Sequence, residues 1–264
     1  MHTAQVTGDW LYKYPMLTEK LVNLNIDQTK FEQVFTPEVR QVADLLRKYG
    51  FDVRVVGGAV RDMLRGKPPR DIDFATDADP SLLIWMFSQE GIQADTGGIA
   101  HGTVKAVFGE DDVVDVTCID YHIDPGTKQP TITHSRDWRA DALRRDLTIN
   151  SMSVDLRGNL YDYTNGIKDL KAGIVRFNPG AETKIKSDPN TMLRWYRALG
   201  YFPDPRWSRS DWQLVQRMTP LLARLKDDRR VELGLASIVS HTNSRKIIAM
   251  MCQAGVGKYI DLDC

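Results

Sequence analysis

The sequence predicts two folding units in series, a mixed α/β head with a small sheet and an all-α unit behind it. Three observations carry this. Short β-prone runs fall at 53–56, 72–75, 103–108 and 113–118, and a helix candidate at 80–90 separates the second from the third, so strict strand–helix alternation is absent. From about Gly173 the apolar spacing becomes helical to the end. The 264 residues suffice for one large domain or two modest ones, each with its own core. The expected boundaries are an N-terminal extension at 1–35, a head at 36–172 and a helical domain at 173–264.

Each element has a local cause. Residues 1–35 show no clean period and scatter Trp10, Tyr12, Tyr14, Phe31 and Phe35, as expected of an extension packed onto the main body. Thr36-Pro37-Glu38 reads as a cap and first turn, Val39, Val42, Ala43 and Leu46 share one face, and Gly50 ends the helix. The stretch 120–136 is rich in Pro, Gly, Thr and His and reads as a loop; 137–152 suits an arginine-rich helix. Asp188-Pro189 starts a helix striped by Met192, Leu193, Tyr196 and Leu199 and stopped at Gly200. Pro203 and Pro205 break the chain before helices expected at 210–226, 228–241 and 243–254.

Composition narrows the class. With 42% apolar and 27% charged residues and zero formal net charge, the chain is an ordinary globular protein rather than a general polycation, though a local basic surface is allowed. Cys118, Cys252 and Cys264 are odd in number and form no CxxC pair, so neither a disulfide framework nor a zinc cage is expected and a reducing, cytoplasmic setting is. No apolar run reaches membrane-spanning length, and MHTAQVTGDW lacks the basic flank and apolar core of a signal peptide.

The chemistry concentrates in GGAVRDMLRGKPPRDIDFAT, residues 57–76. Asp71 and Asp73 flank Ile72, and strand alternation points both carboxylates the same way. Like charges side by side need a cation, and Mg²⁺ takes one or two carboxylates plus substrate phosphates. Gly57-Gly58 lets backbone N–H groups approach phosphate, and Arg61 offers a planar fork; a plain tight turn and a solvated arginine are the alternatives. Asp115, centred in VVDVTC, either faces solvent or joins the pair as a third carboxylate. A second cluster, ALRRDLTINSM, packs Arg144, Arg145, Asp146 and Asn150 into two helical turns: triphosphate and ribose or base contacts on one reading, a polar helix face on the other.

In order, GGAVRD…RDIDFAT, HGTV at 101–104, RRDLTINSM at 144–152 and YDYTNGIKDL at 161–170 resemble the motifs of the class II tRNA nucleotidyltransferase and poly(A) polymerase family. The resemblance spans roughly residues 40–200. It implies a polymerase-β-like nucleotidyltransferase head on a helical neck, and addition of CCA, part of it, or poly(A) to RNA 3′ ends. It assigns Asp71 and Asp73 to two Mg²⁺ ions, Asp115 to the third acidic place, and Gly57, Gly58 and Arg61 to the triphosphate. Arg145, Asp146 and Asn150 match its nucleotide-contacting motif, and Gly166 and Asp169 its hinge-like motif.

Two departures stand out. The family's neck reads Glu-Asp-x-x-Arg-x-x-Arg, its Asp and first Arg acting as template for the incoming C or A. Here Asp188 and Arg194 keep their places, Ser187 replaces the Glu, and Thr191 stands where the templating Arg is expected. Thr has one hydroxyl where a guanidinium has a fork of donors, so base selection weakens or shifts, to Arg194 or Arg197 for example. Second, about ninety residues follow the head, where the family carries a longer body and tail. Arg206, Arg209, Arg224, Arg229 and Arg230 are the expected RNA-phosphate contacts, with a solvated helix surface as alternative. The resulting expectation is an RNA nucleotidyltransferase using CTP and ATP on tRNA 3′ ends. Poly(A) or partial CC- or A-addition, and a non-catalytic RNA-binding module, are the alternatives.

Overall fold

The computed structural model of the chain describes residues 21–25, 31, 33–109, 112–123, 130–133 and 136–264. Trp10, Tyr12 and Tyr14 lie outside them. The head opens with β1 (Leu21–Asn25), followed by α1 (Pro37–Lys48), β2 (Val53–Val56), α2 (Gly58–Leu64), β3 (Asp73–Thr76) and α3 (Pro80–Gln89). Then come β4 (Gln93–Asp95), β5 (Thr103–Val107), β6 (Val113–Cys118), a small hairpin of β7 (Tyr121–Ile123) and β8 (Pro130–Ile132), and α4 (Trp138–Arg144). The head closes with β9 (Ser153–Asp155), β10 (Asn159–Tyr161) and α5 (Gly166–Ala172).

Eight of these strands form one mixed sheet, in the order β1-β10-β9-β2-β3-β6-β5-β4, with β3 and β6 parallel and the other neighbours antiparallel. The sheet is larger than the small one expected, because β4, β9 and β10 have three residues each, too few to print a period of two. The expected N-terminal extension contributes the edge strand β1, paired with β10. Thr36 caps α1 by accepting the Val39 N–H, and Asp79 caps α3 by accepting that of Leu82. Val42, Leu46, Phe74, Leu83, Met86 and Val116 are fully buried between these helices and the sheet.

The arginine-rich helix expected at 137–152 is a correction. It ends at Arg144, Arg145 is extended, Leu147 bridges to Phe177, and a single 3₁₀ turn follows at Thr148–Asn150. The reason is tertiary: Asn178 donates its side-chain amide to the Ala142 and Arg145 carbonyls and to Ser151 Oγ, so a residue outside the segment captures groups a helix would use itself.

Beyond Gly173, which caps α5 with φ 68°, lie β11 (Ile174–Val175), α6 (Ala181–Ser187), α7 (Asn190–Leu199), β12 (Arg206–Trp207), α8 (Arg209–Met218), a 3₁₀ segment (Thr219–Leu225), α9 (Arg229–Val239) and α10 (Ser244–Gln253). Met192, Leu193, Trp195, Tyr196 and Leu199 bury α7 almost completely against its neighbours. The expectation of no disulfide is also corrected. The chain turns back after α10 and bonds Cys252 to Cys264, their Cα atoms 5.3 Å apart, leaving Cys118 free and buried. No helix among the described residues is long and apolar enough to cross a membrane.

Candidate active site

The turn from β2 into α2 sets the site. Gly57 has φ 74° and ψ −135°, a conformation that strains a residue with a side chain. A Cβ at Gly57 would lie 3.5 Å from Arg145 Nη1 and 3.9 Å from Asp73 Oδ2, so the turn, the arginine and the aspartate converge. Gly58 then opens α2, whose first-turn N–H groups lack partners within the helix.

Asp73 opens β3 opposite Val56, and Ile72 before it is buried, while Asp71 on its other side is exposed. Parallel pairing of Phe74 with Val116 carries Asp115 alongside Asp73. Burial first, then the Asp115 charge, push the Asp73 carboxyl up to about 6, against the pull of Arg145. The sequence left Asp115 between solvent and the aspartate pair; the register brings it beside Asp73. Lys105, absent from the sequence expectations, stands opposite Asp115 on β5 and donates to both its oxygens, at 2.8 and 3.1 Å. The Asp115 hydrogen bond in turn raises the Lys105 pKa.

The second cluster sits on the other side of Gly57. Arg144 and Arg145 both bind Asp141, with shortest contacts of 2.6 and 3.0 Å. Burial raises the Asp141 carboxyl, but the Arg145 and Arg144 charges outweigh it and hold the group below its ordinary value. Asp141 therefore stays ionised and aims Arg145 at the turn. Lys184 of α6 donates to the Leu143 and Arg145 carbonyls, tying the helical unit to this loop. Arg61 is only 6% exposed: it donates to Asp62 and, at 2.8 Å, to Asn150 Oδ1, and its guanidinium stacks on Tyr201 at 3.8 Å. Its bonds thus join the turn, the 3₁₀ segment and α7's end. Neither Lys184 nor Tyr201 carries a sequence signal beyond residue type, since only the tertiary fold brings them here.

Arg194 of α7 and Asp188, two residues before that helix, meet this cluster at Asp146. Arg194 pairs with Asp146 at 2.5 Å and with Asp188 at 2.8 Å, and also donates to Thr191 Oγ1 at 3.2 Å. Arg197 lines a pocket with Arg194 and with Arg230 of α9. Of the arginines expected to meet RNA, Arg206, Arg209, Arg224, Arg229 and Arg230 are all exposed. Arg224 donates to the Lys186 carbonyl at 2.6 Å, and Arg230 reaches Asp188 at 3.3 Å as well as its neighbour Asp228.

The donor set fits Mg²⁺. It consists of hard carboxylate oxygens, with Asp73 held against neighbouring negative charge. No group of three or more His, Cys, Asp or Glu side chains able to hold a metal alone occurs among the described residues, and Mg²⁺ completes its shell with water and substrate phosphate oxygens rather than a full protein cage.

Comparison with known proteins bears on this geometry. A family model described as the poly(A) polymerase head domain matches residues 53–176. The chain is 39% identical to the zebrafish (Danio rerio) mitochondrial CCA tRNA nucleotidyltransferase 1 over 68% of its own length and 42% of the relative's. It is 32% identical to the mouse (Mus musculus) mitochondrial CCA tRNA nucleotidyltransferase 1 over 94% of its length and 57% of the relative's. Among solved structures, the Bacillus stearothermophilus CCA-adding enzyme in complex with CTP superposes with a TM-score of 0.71 at 26% identity, over 86% of this chain and 54% of that one. The chain thus spans about half the length of the curated relatives it matches.

Proposed function

Since the chain belongs to the class II tRNA nucleotidyltransferase and poly(A) polymerase family, we propose that it transfers CMP and AMP from CTP and ATP to the 3′ end of tRNA. The observation that carries this reading is the convergence of Asp73 and Arg145 on the Gly57 turn, with Asp115 alongside Asp73, within the head that the family model matches.

In this reading the 3′ oxygen of the RNA attacks the α-phosphorus, an O–P bond forms, and the bond to pyrophosphate breaks. Mg²⁺ held by Asp71 and Asp73, as two ions, would lower the pKa of the attacking hydroxyl and offset charge on the phosphates. Asp115 receives the hydroxyl proton. Arg145, fixed by Asp141, adds positive charge where the transition state spreads negative charge, and the Gly57-Gly58 backbone lets the phosphates come close. Arg61 acts by holding Asn150 in place, and Asp146 and Asn150 take ribose or base hydrogen bonds. Arg144 shares in fixing Asp141. Arg206, Arg209, Arg224 and Arg229 contact RNA phosphates, a sequence-independent and salt-sensitive contribution.

The test supplies purified protein with Mg²⁺, radiolabelled CTP or ATP, and tRNA lacking its 3′ CCA. Labelled product one to three nucleotides longer supports the reading, and long A-tracts point to poly(A) addition instead. No incorporation of any nucleotide rejects it.

A further inference from the structure

Thr191 is 1% exposed, and its hydroxyl is already bonded to Arg194. Buried this deeply, it is not among the residues that line the pocket between α7 and α9 where a base could sit. Arg194 is committed as well, to Asp146, Asp188 and Thr191 together. Two guanidiniums at this edge are looser: Arg197, whose buried Nε has no partner among the described residues, and Arg230, the one of the two that touches Asp188. Arg230, from α9, sends Nε and Nη2 to Asp228, while its Nη1 reaches only Asp188 Oδ1, at 3.3 Å. A tight charge-assisted bond is roughly 2.8 Å, and the Arg230 side chain is 53% exposed. Asp188 Oδ1 otherwise accepts only the Asn190 N–H, at 3.2 Å. Beside this pair a pocket of about 200 Å³ opens between α7 and α9, lined by Asn190, Arg194, Arg197, Arg230 and Gly234 among others. Ligand sites for whole small molecules begin at roughly 300 Å³, so the space suits one planar ring.

We propose that Arg230 is a specificity-determining residue, its guanidinium and the Asp188 carboxylate forming a base-reading edge contributed by two helices. The inference rests on the function proposed above and reassigns Arg230 from general RNA-phosphate contact. A carboxylate accepts and a guanidinium donates. Cytosine and adenine present an amino donor beside a ring-nitrogen acceptor, which matches that order. Uracil and guanine present a carbonyl beside an N–H, so each group of the protein would meet its own kind and be left unpaired, the situation that discriminates most strongly. Arg194 is a positioning residue here, since it holds Asp188 from the opposite oxygen.

The test measures kcat and KM for each of CTP, ATP, UTP and GTP in single-nucleotide extension of truncated tRNA, in the wild type, Arg230→Ala and Arg230→Lys. The KM for the RNA and the thermal midpoint are measured alongside. Arg230→Ala should reduce the CTP:UTP and ATP:GTP preference roughly ten- to a hundredfold, the range expected for losing a hydrogen bond from a charged group. The loss should appear in KM for CTP and ATP, with RNA KM and the midpoint unchanged; Arg230→Lys, which keeps charge but not the fork, should recover little of it. Unchanged preference, an equal loss for all four nucleotides, a rise confined to RNA KM, or full rescue by lysine each overturns the inference while leaving the proposed function standing. A wild type that extends RNA with no preference does the same, and one that extends nothing removes both.

Discussion

Lys105 and Asp115 face each other across β5 and β6, the ammonium 2.8 Å from one carboxylate oxygen and 3.1 Å from the other. The third acidic residue of the site therefore carries its own counter-charge before any substrate arrives. Both side chains are about one-third exposed, so the pair adds little stability, on the order of 1 kcal/mol or less. The Lys105 charge also pulls the Asp73 carboxyl downward, more weakly than Arg145 does.

Lys105→Met tests that effect. Removing the ammonium leaves Asp71, Asp73 and Asp115 with more uncompensated negative charge, so the Mg²⁺ concentration giving half-maximal transfer should fall several-fold. A Mg²⁺ titration of activity checks it, and an unchanged midpoint contradicts the role given to Lys105.

Asp73→Asn should stabilise the free protein while abolishing transfer. The folded protein keeps the Asp73 proton up to about pH 6, whereas the unfolded chain releases it near its ordinary value of 3.8. Stability contributed at this group therefore falls as pH rises through that window and remains lower above it. The shift corresponds to about 3 kcal/mol at most. Urea unfolding without Mg²⁺ should show the variant ahead of the wild type at pH 7.5, with the gap closing towards pH 4.

Asp169→Ala should loosen the junction between head and helical unit. Asp169 is 4% exposed and accepts from Thr148 Oγ1 at 2.8 Å and from Arg176 at 3.0 and 3.3 Å. Arg176 is 45% exposed and recovers water when its partner goes, which holds the cost to roughly 2 kcal/mol rather than that of a fully buried pair. Chemical denaturation measures it, and Asp169→Asn should recover part of the loss through the Thr148 bond.

Reducing the Cys252–Cys264 bond should lower the thermal midpoint without changing nucleotide selection. The bond closes a loop spanning 12 positions, for which the chain-entropy argument gives about 3 kcal/mol. Scanning calorimetry with and without dithiothreitol reads the shift.

How much of this was legible depended on whether the cause was local. Asp71, Asp73 and the Gly57 turn stood out because a tight turn and a two-residue spacing are properties of neighbouring residues. The cap at Thr36 was equally local. Lys105 was missed although a signal existed: a hairpin turning near Gly109 sets Lys105 opposite Asp115, and only the register reveals it. The helix expected at 137–152 failed because Asn178, far along the chain, claims the Ala142 and Arg145 carbonyls. Cys252 and Cys264 met only because the chain doubles back after α10. Arg230 read as one more exposed arginine until α9 packed beside Asp188.

The central claim is that Asp71 and Asp73 anchor nucleotidyl transfer to an RNA 3′ end. Single-turnover extension of tRNA lacking its 3′ CCA, comparing the wild type with Asp71→Ala and Asp73→Ala at saturating Mg²⁺, tests it most directly. The expected result is CMP and AMP incorporation by the wild type and none by either variant, with all three proteins folded by circular dichroism. Full activity in either variant, or none in the wild type, would contradict it.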